Sequence, residues 1–87
     1  MIIALGQMKV VPGRPDLNTQ TMKEMISDAK AKKAQIIVFP ELCIPGYLLG
    51  DTWEQSAFLK DCEDWGKKII QLSQDICVVF GNVAVDW

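Results

Sequence analysis

Three short stretches of this chain are apolar at every position, and each ends at a residue that breaks strands. Ile2-Ile3-Ala4-Leu5 stops at Gly6, Ile36-Ile37-Val38-Phe39 stops at Pro40, and Ile76-Cys77-Val78-Val79-Phe80 stops at Gly81. A strand with one wet face alternates apolar and polar residues, whereas a strand covered on both faces reads as an unbroken apolar run. The runs therefore predict a parallel sheet whose strands are buried on both sides. Helical patterns separate them. Met22, Met25, Ile26 and Ala29 recur at i, i+3, i+4, i+7 and predict a helix over 18–33, with Lys23, Glu24, Asp28 and Lys30 outward. Before it, residues 12–18 carry turn chemistry: two prolines, a glycine and the cap-type side chains Asp16 and Asn18. Cys62, Trp65, Ile69 and Leu72 predict a second helix over 61–73, after a long loop from Pro40 to Trp53 and a short turn near 54–59. The order is β–α–β–α–β, an α/β fold with parallel strands joined by right-handed crossovers.

With 87 residues there is room for one small domain at most, yet 49% of the residues are apolar, including three Trp and three Phe. Three strands cannot cover themselves on both faces. An exposed apolar surface is expected, to be buried by further chain or by a second copy, so residues 1–87 read as a single partial domain and a homo-oligomer is expected.

Charge and composition exclude several classes. Nine Lys and Arg against eleven Asp and Glu, without a basic cluster, argue against nucleic acid as a partner. The run 76–80 is far short of the ~20 residues a membrane span needs, and no secretory signal is evident. Cys43, Cys62 and Cys77 form no CxxC pair, which points to free thiols in a reducing, cytoplasmic setting. The chain has no His, so it holds neither a Ser-His-Asp nor a Cys-His site, and three separated Cys make no closed zinc set. Neither GxGxxG nor a P-loop occurs.

In open α/β sheets, functional groups collect at the carboxyl ends of strands. The loop after the second apolar run, Phe39-Pro40-Glu41-Leu42-Cys43-Ile44-Pro45-Gly46-Tyr47, sets one carboxylate in otherwise apolar surroundings. Glu41 beside Phe39, Leu42 and Ile44 is expected to be partly desolvated, a setting suited to proton transfer, with Pro40 and Pro45 stiffening the loop. Residue types alone leave two readings: a general base, or a carboxylate that caps a turn.

The segment IIVFPELCIPGY at 36–47 resembles the first signature of the nitrilase superfamily of carbon–nitrogen hydrolases. The opening strand into Gly6-Gln7-Met8, the turn 12–18 and the closing Val78-Val79-Phe80-Gly81 are placed as that family places them. The stretch 46–53 looks most like the glutamine-hydrolysing domains of bacterial glutamine-dependent NAD synthetases. Leu48-Leu49 stand where many of those have two prolines, which leaves other amidase branches open. The resemblance implies the N-terminal portion of an αββα sandwich and a Glu–Lys–Cys triad that needs no metal. Glu41 matches the triad's Glu, and Tyr47 is a candidate substrate contact. The family's Lys and Cys lie at the ends of later strands, and these 87 residues hold neither. Asp61-Cys62-Glu63-Asp64 imitates the string around the family's nucleophile, but Cys62 falls on the apolar stripe of a helix and reads as a core thiol. Cys43 and Cys77 likewise read as packing residues. Further implications are glutamine as substrate and no cofactor in this chain, with ATP and deamido-NAD used by a separate synthetase domain. The alternatives are a part of another amidase, or a non-catalytic α/β module that self-associates.

Overall fold

A computed structural model of the chain describes residues 1–46 and 56–82. The elements follow the expected order: β1 (Ile3–Leu5), α1 (Pro15–Ala31), β2 (Ile36–Val38), α2 (Ser56–Ile70) and β3 (Cys77–Val79). The strands form a parallel sheet in the order β1-β2-β3. Crossovers of one hand that step the same way across a sheet put their helices on the same face. Here α1 and α2 pack against each other, and both contribute to the core around the central strand.

The register shows which residues meet the helices. Ala4, Ile37 and Val78 lie in one row across the sheet and join the core with Met22, Ile26, Ala29, Cys62 and Ile69. Ile37, in the middle, is 1% exposed. The rows on either side, Ile3–Ile36–Cys77 and Leu5–Val38–Val79, point to the other face. There Leu5 is 69% exposed, Ile3 56% and Val79 48%. The expectation of strands buried on both faces therefore holds on one face only, because both helices lie on the same side. Cys77, expected in the core, is exposed for the same reason: Ile76 and Val78 take the inward positions of that strand. The predicted exposed apolar surface is this open face.

Both helices start earlier than their apolar periods suggest. Proline is favoured at the first helical position, where its missing N–H has no partner to lose, so α1 begins at Pro15 rather than at 18. Asn18 is then inside the helix and not at its cap, and Asp16 pairs with the exposed Arg14 at 2.9 Å. At the other end Ala34 N–H donates to Ala29 O at 3.0 Å, and Lys33 turns left-handed (φ 61°) to close the helix. Residues 56–59, part of the turn expected near 54–59, and Lys60 form the start of α2. Phe58 explains it, since it stands one turn before Cys62 and extends the stripe Cys62–Trp65–Ile69 into the core. The end of α2 at Ile70, short of 73, is tightened by Leu72 N–H to Ile69 O at 2.9 Å and by the Ser73 hydroxyl to Ile70 O at 2.6 Å.

Candidate functional site

The loop that carries Glu41 leaves the carboxyl end of β2 between the ends of the two neighbouring strands. The ladder runs one residue beyond the strands on each side: Gly6 N–H donates to Val38 O at 2.8 Å, and Phe39 N–H to Val79 O at 2.9 Å. Both neighbours reach the loop through a glycine. A Cβ on Gly6 would stand 2.5 Å from Phe39 Cδ1, and one on Gly81 would stand 2.6 Å from Leu42 N. Side chains at either point would displace the loop, so the glycines permit the close approach.

Within the loop the side chains divide by direction. Phe39, Cys43, Ile44 and Pro45 are buried, whereas Glu41 is exposed. The expectation that Phe39, Leu42 and Ile44 would partly desolvate Glu41 is not met, because Phe39 and Ile44 turn into the core and away from it. Among the described residues its carboxylate has no ion-pair partner. The following residue, Leu42, has φ 50°, a left-handed backbone that costs a non-glycine residue of order 1 kcal/mol. Gly46 N–H donates to Leu42 O at 2.8 Å and closes the turn.

The buried end of the loop is held from several sides. Gly13 N–H donates to Pro45 O at 2.8 Å. The Cys43 thiol lies 3.6 Å from Gly81 O and 3.6 Å from Met22 Sδ. Asn18 Nδ2 donates to Ile44 O at 2.8 Å and to Val11 O at 2.9 Å, while its Oδ1 accepts from Val11 N–H at 2.8 Å. The turn chemistry of 12–18 gave no sign of this bridge.

The two buried thiols of this region sit where the charged form is disfavoured. Burial pushes the Cys43 thiol up from its ordinary value. Burial, with a smaller contribution from Asp61, pushes Cys62 up to about 11. Both are fully buried core residues and stay protonated near neutral pH. Cys77 lies on the open face. Lys9, after β1, is exposed. Tyr47 and Trp53 lie outside the described residues. Among the described residues no three His, Cys, Asp or Glu side chains gather as a metal site, and no helix is long and apolar enough to cross a membrane. Two clefts, one of about 290 Å³ between β1 and α1 and one of about 260 Å³ between α1 and α2, do not include Glu41. What the loop offers chemically is one carboxylate on an anchored backbone, displayed to solvent at the end of the central strand.

Comparison with known proteins gives a consistent result. The family described as carbon-nitrogen hydrolase matches residues 2–75. A glutamine-dependent NAD(+) synthetase from Acinetobacter baylyi is 35% identical over 81 residues, 93% of this chain and 15% of its own length. The enzyme of that name from Aquifex aeolicus is 32% identical over 88% of this chain and 13% of its own. The chain thus spans about 15% or less of these relatives. Among solved structures, a glutamine-dependent NAD+ synthetase from Acinetobacter baumannii superposes with a TM-score of 0.77 at 32% identity, over 97% of this chain and 16% of that one. An amidase from Nesterenkonia sp. shares the fold with a TM-score of 0.78 at 24% identity, over 90% of this chain and 30% of its own.

Proposed function

This chain belongs to the carbon–nitrogen hydrolase family, and from that premise we propose that residues 1–87 are the part of a glutamine-hydrolysing amidotransferase domain that carries its general base, Glu41. The observation that carries the reading is the placement of Glu41, exposed at the carboxyl end of the central strand on a loop whose other residues are anchored in the core. The relatives' names supply the substrate, glutamine.

In this reading Glu41 takes the proton of a cysteine thiol, and the thiolate attacks the side-chain carbonyl of glutamine. A lysine stabilises the negative charge that develops on the carbonyl oxygen. Glu41 passes the proton to the departing nitrogen, so ammonia leaves and a thioester remains. Water then attacks the thioester. Glu41 accepts its proton and returns one to the sulfur, releasing glutamate. Cys43 and Cys62 are buried in the core, and the family resemblance implies that the reacting cysteine and lysine stand at the ends of later strands, outside residues 1–87. The ammonia would amidate deamido-NAD at the expense of ATP in a separate domain, in the cytoplasm.

The exposed apolar rows of the sheet favour a second reading, a non-catalytic module that assembles with its own copies through that face. Measuring ammonia release from glutamine separates the two. The glutaminase reading requires release by the complete gene product and none by residues 1–87 alone. An inactive complete product that assembles through the open face supports the module instead.

A further inference from the structure

We propose that Asn18 is a positioning residue for the Glu41 loop, acting through the backbone of Ile44; the inference rests on the reading of Glu41 as a general base. Asn18 is 1% exposed and lies in the fourth position of α1. An asparagine there does nothing for the helix, where it is among the poorer formers. Its side chain instead spends every donor it has. Both N–H groups are used, one on Val11 O at 2.9 Å and one on Ile44 O at 2.8 Å, and the oxygen accepts from Val11 N–H at 2.8 Å.

Only a short primary amide meets that demand. Aspartate has the same shape but no donor, serine has one donor, and glutamine is one methylene too long for the same geometry. The amide joins three pieces of chain that are distant in sequence: the loop after β1, the first turns of α1, and the loop after β2. Ile44 is three residues beyond Glu41 and lies within the turn Leu42–Gly46, which is closed by Gly46 N–H to Leu42 O at 2.8 Å. On its other flank the loop rests against Gly81, where there is no space for a Cβ. Asn18 therefore pulls the loop from behind while Gly81 limits its travel in front. The carboxylate is displayed at the end of a turn that is fixed at its base, which is what proton transfer over hydrogen-bond distances requires. Because Asn18 is buried, its loss takes nothing from the exposed surface around Glu41.

The test uses the complete gene product and Asn18→Asp, which keeps size and acceptor but removes both donors. The expected result is a fall in kcat for ammonia release of about 10- to 100-fold, with KM for glutamine within about twofold. Amide exchange at Gly46 should accelerate while the amides of Met22 to Ala29 keep wild-type protection. Unchanged kcat and unchanged Gly46 exchange would overturn the proposal, as would a loss of kcat that only tracks a global loss of protection. If the buried carboxyl prevents folding, Asn18→Ser, uncharged and able to donate once, takes its place with the same expectations. Failure of the underlying reading has a different signature: ammonia release that is absent, or indifferent to Glu41→Gln. In that case Gly46 exchange still decides the role of Asn18.

Discussion

The two faces of the sheet have nearly the same composition and opposite fates. On one, Ala4, Ile37 and Val78 are closed over by Met22, Ile26, Cys62 and Ile69. On the other, Ile3, Leu5 and Val79 are just as apolar but stand in solvent. A run such as IIVF records that a strand is made to be covered twice. It does not record which cover the same 87 residues supply. The covered face fixes the Glu41 loop, through Cys43, Ile44 and Pro45 beneath it. The open face leaves Ile3, Leu5 and Val79 in solvent.

Substitutions on the two faces should therefore differ sharply. Ile37→Ala, at the centre of the covered row, should cost about 2–5 kcal/mol, a large part of the stability of so small a domain. Urea unfolding of the 87-residue chain measures it. A cost below about 1 kcal/mol would mean that the helices do not seal this face.

Next in size is the effect of alkaline pH on the covered face. The folded state holds the Cys62 thiol up to about 11, above the ordinary thiol range, by burying it. The folded state thus keeps a proton that the unfolded chain releases. The resulting stability is fully present below the unfolded pKa and is lost as pH rises toward 11. Urea midpoints at rising pH should fall through that window, and more steeply for the wild type than for Cys62→Ala. Parallel slopes would contradict the burial of Cys62.

The smallest stability effect belongs to the open face. Leu5→Ser should change the unfolding free energy by no more than about 0.5 kcal/mol. It should nonetheless shift the chain from associated species toward monomer in sedimentation, because a large apolar patch is what drives association. A wild-type chain that sediments as a monomer at all concentrations would show that the open face is not adhesive.

Much of the fold was legible because periodicity reports burial. The stripe Met22–Ile26–Ala29 and the stripe Cys62–Trp65–Ile69 are where the helices meet the core, and the apolar runs are the strands. Helix starts were less legible, since Pro15 and Phe58 act through backbone geometry and a single packing contact rather than through a repeating pattern. Cys77 is exposed although it sits within a continuous apolar run, because such a run conceals which parity faces the helices. In the loop the identity of the carboxylate was evident, but not its exposure: the turn at Leu42, with φ 50°, sends Ile44 inward and leaves Glu41 outside. Asn18 reads in the sequence as a cap or turn residue and not as a bridge, because its partners are backbone atoms of Val11 and Ile44, which have no signature in side-chain sequence.

The central claim is that Glu41 moves the protons of glutamine hydrolysis. It is tested most directly by Glu41→Gln in the complete gene product, with ammonia release measured at saturating glutamine. The expected result is a loss in kcat of about 10² to 10⁴-fold in a protein that unfolds at the wild-type urea concentration, since the exposed carboxylate supports no described contact. Ammonia release within a few-fold of wild type would contradict it.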